Sequence, residues 1–437
     1  MRVPLSWLRE FVPVAEDASA EDLMATLVKV GLEEEDVHRP SDELSGPIVV
    51  GQVLSMEPET HSNGKTVNWC QVRVVPEGQE QTLTGKGIEP SGVQGIICGA
   101  HNFVPGDKVV VTLPGAVLPG GFAITARKTY GHKSAGMIAS TRELGIGDDH
   151  GGILVLSTLG LDPELGTDAM ELLGLYDQAA EVNVTPDRGY AFSLRGIARE
   201  WCHATGSSFE DFVLAYGERA PEANESGHAV ALRDDAPIHG NPGCVRFVMR
   251  EVSGVKADAP VPTWMSSRLR LAGVRSLSLP VDISNYVMLE TGQPLHFYDA
   301  DKVQGEIVVR RAAAGEKLVT LDGVERTLHP EDIVIADDSG VIGLAGVMGG
   351  SSTEVTDSTT RILVEAARFD EVSVARTARR HKLISESSKR FERGVDPQIQ
   401  AAAAQRAVEL LVELAGAQAE PGVTDVSLGY EPVVIDL

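Results

Sequence analysis

The chain has 437 residues and a formal net charge of −25, with 43% hydrophobic and 23% charged residues, 45 Gly, 23 Pro and 5% aromatics. That length exceeds one ordinary domain, the hydrophobic content excludes a disordered chain, and turn formers at this density favour many short strands. The acidic balance repels a polyanion as a whole, so any nucleic-acid contact must be local.

No run reaches the roughly 18 to 20 apolar residues of a membrane-spanning helix, and MRVPLSWLREFV meets Glu10 before a long apolar stretch develops. No membrane association is expected, and a cytoplasmic location follows by elimination. Cys70, Cys98, Cys202 and Cys244 form neither a CxxC motif nor a Cys/His cluster, which points to reduced buried thiols and no metal site.

In chain order, the first element is a helix with Ser19 as N-cap, Leu23, Leu27 and Val30 on one face, and Gly31 as its stop. The acidic EEED at 33–36 then leads into a loop. From Ile48 onward, IVVGQVLSME, TVNWCQVRVV, GIICGA, DKVVVTLP and AITARKT read as five short strands separated by Gly, Pro and Asn turns. Five such strands suggest a small oligonucleotide-binding (OB-fold) barrel, a fold that takes nucleic acid on a strand face and its loops. EVNVTP is strand-like, a helix carrying Phe192, Leu194, Ile197 and Trp201 follows, and the polar YGERAPEANESG closes this part as a linker.

Beyond it, an amphipathic helix around TWMSSRLRLAG precedes the apolar VDISNYVML. EKLVTLDGVERTL reads as a hairpin turning at Asp322 and Gly323, a dipeptide suited to a type I′ turn. DIVIA and GLAGVM read as strands. A helix is expected from Pro397 to Ala415 with Asp396 as N-cap and Gly416 as stop, and then one more strand, PVVIDL, whose position at the terminus suggests truncation within a domain.

Three polar residues stand out in this largest region: Asn285, His296 and Glu365. His296 follows a tight GQP turn, and Glu365 lies inside ILVEAARF, where an ionised carboxylate is costly unless it meets a partner or a ligand. A lone histidine beside a turn is more often structural, so the residues alone leave both readings open. GLAGVMGG has no P-loop spacing; its glycines suit close backbone approach to a ligand, with Gly346 and Gly349 placed to reach an aromatic ring or a ribose.

VDISNYVMLETGQPLHFYD, GLAGVMGG, ILVEAARF and SESSKRFERGVDP together resemble the editing domain of the bacterial phenylalanyl-tRNA synthetase beta-subunit family. TPDRGYAFSLRGIARE is similar to that family's TPNR-type motif and its helix, and CGAHNFVPGDKVVVTLPGAVLPGG with SAGMIASTRELGIG, within 46–154, resembles the tRNA-binding module found in several synthetase-associated proteins. The resemblance covers essentially the whole chain. It implies an α+β multidomain fold: a discontinuous helical and mixed N-terminal unit (1–45 and 155–205), an inserted OB-fold barrel (46–154), a mixed α/β B3/B4 editing domain (211–398), and a helix with the start of a further domain (399–437).

The same resemblance implies that Glu365 recognises a tyrosine hydroxyl and that His296 lies beside the aminoacyl ester, with Asn285 and Ser385 in the catalytic set and Ser284, Gly346, Gly349 and Ser387 lining the substrate pocket. Ser284–Asn285 stands where the family has Thr-Asn, Ser385 where it often has Thr, and Ser387 where it often has Ala. His296 as general base, and His296 with a tRNA hydroxyl as positioner of water, explain the same residues.

Charge is uneven along the chain: residues 1–45 hold 4 Lys/Arg against 11 Asp/Glu, whereas 376–393 hold 7 Lys/Arg against 2 Glu. Arg376, Arg379, Arg380, Lys389 and Arg390 in that basic island, and His101, Arg127, Lys128 and Lys133 in the barrel, are the candidate tRNA contacts. The implied partners are tRNA(Phe) and an alpha subunit in an (αβ)2 assembly. ATP and Mg²⁺ are expected for the complete enzyme and no cofactor within this segment. A freestanding deacylase and a noncatalytic tRNA-binding or assembly module are the alternatives.

Overall fold

The structure is a computed structural model describing residues 1–148, 151–430 and 434–435. Two compact units emerge: Met1–Asp36 with Ala180–Ala259 and Ala272–Leu437, and Val37–Ala179 with Pro260–Leu271. The fold is α+β, built from several separate sheets with helices packed beside them.

In the second unit an antiparallel five-stranded sheet runs in the order Met137–Ile138, Lys108–Thr112, Ile48–Thr60, Thr66–Arg73, Val93–Cys98. Its two edges meet where Ala135 N donates to Gly95 O (2.8 Å) and Ile97 N to Ser134 Oγ (3.1 Å), curling the sheet on itself. Val109 and Val111 enter one core with Val53, Val72 and Ile96. Val110, pointing the other way, joins Ile48 and Val50 in a second core. Burial of both faces accounts for the unbroken apolar runs IVV and VVV.

The second core is completed by Leu44, Leu154, Leu156, Ala169, Met170, Leu173 and Leu175, so residues 155–175 pack with the barrel. The helix Thr263–Leu271 also belongs to this unit: Ser267 Oγ donates to Gly174 O (3.0 Å) and Arg270 to Leu173 O (3.4 Å). AITARKT does not supply the fifth strand. Arg127–Thr129 pairs instead with His132–Ser134 in a separate ribbon, turning at Tyr130 and Gly131, both at positive φ. The fifth strand is the two-residue Met137–Ile138, too short for any alternation to register in the sequence.

In the first unit, Ser19 caps the helix Ala20–Leu27 through a reciprocal capping box with Asp22, and Gly31 ends that turn at φ +83°. Glu33–His38 forms a strand on Ala179–Asn183, which also pairs with Arg2–Pro4. Its first four side chains are all exposed, so no inward alternation marks it. The first residues of the expected linker, YGER, end the helix Phe212–Arg219.

Two sheets face each other in the larger part of this unit. One is four-stranded and antiparallel, in the order Leu295–Asp299, Arg361–Phe369, Cys244–Ser253, Gln418–Ser427. The other orders Val230–Arg233, Ile307–Arg311, Ile333–Asp337, Gly340–Leu344 and Met348–Gly349. Phe247, Met249, Leu363 and Phe369 from the first and Val309, Ile335, Ile342 and Leu344 from the second share one core. The helix Gln400–Ala415 packs on the strands Cys244–Ser253 and Arg361–Phe369. It and Gln418–Ser427 therefore complete this sheet and its cover; they do not begin a further domain.

VDISNYVML belongs to the helix Leu279–Thr291, with Pro280 in its first turn and Gly292 (φ +88°) at its end. Ten of its thirteen residues are buried, which erases the polar face that distinguishes a helix from an apolar strand. The last helix begins at Gln400, three residues later than expected, because Asp396 Oδ1 takes Gln398 N in a preceding turn. GLAGVM is broken by a turn at Gly346 (φ +69°). The hairpin Lys317–Val319 with Glu325–Thr327 forms, but only Gly323 of its turn pair has positive φ, so the turn is not type I′. The expected strand PVVIDL lies mostly outside the described residues.

Candidate active site

Strand register brings His296 and Glu365 together. They are direct partners across the antiparallel pair of Leu295–Asp299 with Arg361–Phe369, so their side chains rise from the same face. Period two places Tyr298 beside His296. Its ring stands edge-on to the imidazole, centroids 4.5 Å apart at 86°, and its hydroxyl donates to Glu365 Oε2. These three side chains line a cavity of about 250 Å³.

The remaining wall comes from three directions. Ser284 and Asn285 belong to the helix Leu279–Thr291, Gly346 to the turn after the strand Gly340–Leu344, Gly349 to the strand Met348–Gly349, and Ser385 and Ser387 to the start of the helix Glu386–Phe391. All eight residues expected at the pocket thus border one cavity. Sequence reading missed Tyr298, Met288, Phe369 and Phe391. Tyr298 could have been found from the His-x-Tyr spacing on one strand; the others required the tertiary fold.

Several expected roles change once hydrogen bonds are followed. Ser385 caps its helix, accepting from Ser388 N (3.1 Å) while its hydroxyl donates to Val347 O (3.2 Å). Ser387 Oγ donates to Gly346 O (3.1 Å), and Ser284 Oγ to Val281 O (2.7 Å). The first two hydroxyls tie the helix Glu386–Phe391 to the turn at Gly346, and the Ser284 hydroxyl is spent within its own helix. Asn285 makes no side-chain hydrogen bond among the described residues, and His296 Nε2 is buried without a partner. The two unengaged polar groups of the cavity are therefore an amide and an imidazole.

The glycines are needed for a reason other than the expected one. A Cβ on Gly349 would lie 2.4 Å from His296 Cε1 and 2.7 Å from Nε2. A Cβ on Gly346 would lie 2.9 Å from Phe391 Cδ2. The space left by the missing side chains is filled by the pocket's own rings, not held open for a ligand.

Burial without a counter-charge pushes the His296 pKa down to about 4, so its imidazole is neutral near pH 7. Burial likewise raises Glu365 to about 7, against the stabilising hydrogen bond from Tyr298. Tyr298 itself is pushed well above the usual phenol range by burial and then by the neighbouring carboxylate. The cavity thus holds a neutral acceptor and a carboxyl balanced between its two protonation states. Among the described residues no cluster of His, Cys, Asp or Glu is arranged to hold a metal ion.

The cationic candidates separate into two groups. Arg376 pairs with Glu331 (3.0 Å); Arg380 pairs with Glu331 (2.8 Å) and with the buried Asp332. Arg390 is a correction: it is 2% exposed, its guanidinium donating to Phe192 O (2.9 Å) and Glu386 Oε2 (2.7 Å), so it is a structural tie with no face for phosphate. Lys389 lies 4.3 Å over the Phe192 ring. Arg379 is exposed near the end of the helix Glu371–His381. In the barrel, Arg127, Lys128 and His101 are exposed, and Lys133 is exposed but paired with Glu89 (2.9 Å). Arg127 borders a groove of about 750 Å³ with Phe122 and Tyr130, whereas Phe103 is core and Trp69 stacks on His132.

The two facing sheets and their cavity define a domain class: residues 243–416 match the B3/4 domain family. Over 99% of its length the chain is 60% identical to a phenylalanine–tRNA ligase beta subunit of Leifsonia xyli subsp. xyli, covering 51% of that protein. It is 55% identical over its full length to the corresponding subunit of Streptomyces avermitilis and 50% identical over 97% to that of Bifidobacterium longum, covering 50% of each. Over essentially its whole length the chain is thus similar to phenylalanine–tRNA ligase beta subunits, and it spans about half the length of these curated relatives. An N-terminal fragment of the phenylalanyl-tRNA synthetase beta-subunit from Pyrococcus horikoshii is a distant structural neighbour, with TM-score 0.32 and 15% identity over 60% of this chain and 72% of that one.

Proposed function

We propose that this segment hydrolyses tyrosine mischarged onto tRNA(Phe), with the cavity between His296 and Glu365 as the editing site. The observation that carries the reading is the pairing of an unpartnered, buried imidazole nitrogen with a buried carboxyl inside one cavity of about 250 Å³. A hydrophobic phenylalanine site rejects an analogue that merely adds a hydroxyl by only about a hundredfold. A second cavity whose polar group demands that hydroxyl sorts the two amino acids in the opposite sense, because phenylalanine leaves the group unpaired.

In this reading the tyrosyl side chain enters with its hydroxyl toward Glu365, and the ester lies beside His296 and Asn285. Water adds to the ester carbonyl, the bond to the ribose oxygen breaks, and the proton passes to that oxygen, releasing tyrosine and intact tRNA. A pKa near 4 makes His296 a weak base at neutral pH. Its neutral nitrogen is suited to hold the attacking water by accepting a hydrogen bond, with a tRNA hydroxyl assisting. The activated ester needs little more than that positioning.

Arg379, Arg127, Lys128 and His101, exposed in this structure, are proposed phosphate contacts, and Arg376, Arg380, Lys389 and Lys133 could serve only by leaving or sharing their present partners. Ligation of phenylalanine, with ATP and Mg²⁺, belongs to a complete cytoplasmic enzyme with an alpha subunit in an (αβ)2 assembly, and no residue here is assigned to it. The test is single-turnover deacylation of Tyr-tRNA(Phe) and Phe-tRNA(Phe) by this chain and by His296→Ala. The reading requires tyrosine-selective hydrolysis that falls by about 10²-fold or more in the variant. A chain that binds tRNA but hydrolyses neither ester would favour the binding and assembly module instead.

A further inference from the structure

Tyr298 is fully buried, shares the His296 face of its strand, and directs its hydroxyl at Glu365. Such a tyrosine can be a core ring whose hydroxyl happened to find a partner, or it can determine what Glu365 offers to a ligand. Two observations favour the second. Its ring packs in a cluster of Val, Ile, Leu and Phe that a phenylalanine would fill as well. Its hydroxyl meets the one carboxylate at the base of the cavity, and that carboxylate has no other hydrogen-bond partner among the described residues.

The surroundings leave the task to Tyr298. Across the strand pair stands the neutral His296; from Cys244–Ser253 come the Cys244 thiol, close enough to feel the Glu365 charge, and the apolar Met249. The second sheet contributes Ile335 and Leu344, the helix Leu279–Thr291 only uncharged residues, and the helix Glu386–Phe391 contributes Glu386, itself paired with Arg390. Among the described residues no cation pairs with Glu365 and Tyr298 alone donates a hydrogen bond to it.

We propose that Tyr298 is a specificity-determining positioning residue: by donating to one oxygen of Glu365 it orients the carboxyl group and keeps the other oxygen an acceptor. The cavity then takes a phenolic hydroxyl as donor and disfavours a phenyl ring that has none. This rests on the reading of the cavity as a tyrosyl-ester site. Without the Tyr298 hydroxyl, Glu365 is buried with no donor, retains its proton, and can itself donate, which weakens the demand for a hydroxyl on the ligand.

The test uses the whole chain with Tyr298→Phe, Glu365→Gln and the double variant. Hydrolysis of Tyr-tRNA(Phe) and Phe-tRNA(Phe) is followed against pH, and the Glu365 carboxyl is titrated by ¹³C NMR with Glu365→Gln identifying its signal. Tyr298→Phe is expected to lower the tyrosyl-to-phenylalanyl rate ratio about tenfold or more. It should also move both the acid limb of tyrosyl hydrolysis and the Glu365 titration to higher pH, with an unaltered melting transition. In the Glu365→Gln background the same change should add no further loss. A parent-like ratio and pH profile in Tyr298→Phe would leave Tyr298 a core residue and overturn the inference. Should the parent hydrolyse neither ester, the editing reading fails by itself, and an unshifted Glu365 titration in Tyr298→Phe would overturn the inference separately.

Discussion

The cavity at His296 and the cationic helix Glu371–His381 belong to the same unit, and the Glu365 strand leads directly into that helix, yet the two handle charge in opposite ways. In the cavity, ionisable groups are buried with almost no compensation: His296 Nε2 has no partner and Glu365 has only a phenol. On the helix, cations meet acids from a loop some fifty residues earlier. Arg376 and Arg380 pair with Glu331, and Arg380 and His381 with Asp332. Uncompensated burial shifts pKa values and leaves groups available to a ligand, whereas mutual neutralisation holds two elements together.

Asp332 should therefore matter for stability and not for chemistry. It is fully buried and also accepts from His329 N (2.8 Å) and Thr377 Oγ1 (3.0 Å). Burial opposes its ionisation, but the bonds from His381 and these neighbours outweigh it and hold the carboxyl below its usual range. Asp332→Asn is expected to lower the unfolding free energy in urea by about 3 kcal/mol, because it removes the buried charge on which Arg380 and His381 converge and leaves Arg380 only Glu331. An unchanged urea midpoint would mean that the network contributes nothing.

Gly349→Ala sharpens the same contrast from the cavity side. Gly349 is not at positive φ, so alanine fits the backbone, but its Cβ must displace the His296 ring. Tyrosyl-ester hydrolysis should fall about tenfold or more with little change in melting temperature. Equal rates for parent and variant would show that the His296 position is not critical.

A smaller effect concerns pH. His296 is lowered from 6.5 to about 4, so between those values the unfolded chain takes up a proton that the folded chain refuses, and acidification destabilises. Glu365 is raised from 4.5 to about 7, so between those values the folded chain holds the extra proton, and acidification stabilises. The two contributions oppose each other from about pH 6.5 to 4.5. Relative to the parent, His296→Gln should gain stability as pH falls through that window, and Glu365→Gln should lose it, measured by urea unfolding at each pH. The smallest effect is expected in the barrel, where Lys133→Ala removes an exposed pair with Glu89 and should change stability by less than about 0.5 kcal/mol.

How much was legible in the sequence follows from the same physics. An ionisable residue inside ILVEAARF is visible as a conflict between residue type and surroundings, and the strand register then carries it to His296. Arg390 and Asp332 show the limit. A local surplus of Arg and Lys says nothing about acids distant in sequence that fold against it, and nothing distinguishes a buried arginine from an exposed one beside it. The helix Leu279–Thr291 and the strand Glu33–His38 leave no period in the sequence for complementary reasons, one being buried nearly all round and the other exposed along most of its length. In both, the periodic contrast that identifies an element is missing.

The most direct test of the account is the ratio of single-turnover rates on Tyr-tRNA(Phe) and Phe-tRNA(Phe) for Glu365→Ala against the parent. If Glu365 is the group that demands a ligand hydroxyl, the parent's preference for tyrosine should collapse toward unity while the fold and tRNA affinity persist. A variant that keeps the parent's ratio would contradict the assignment of Glu365, and with it the cavity as the place where the two amino acids are told apart.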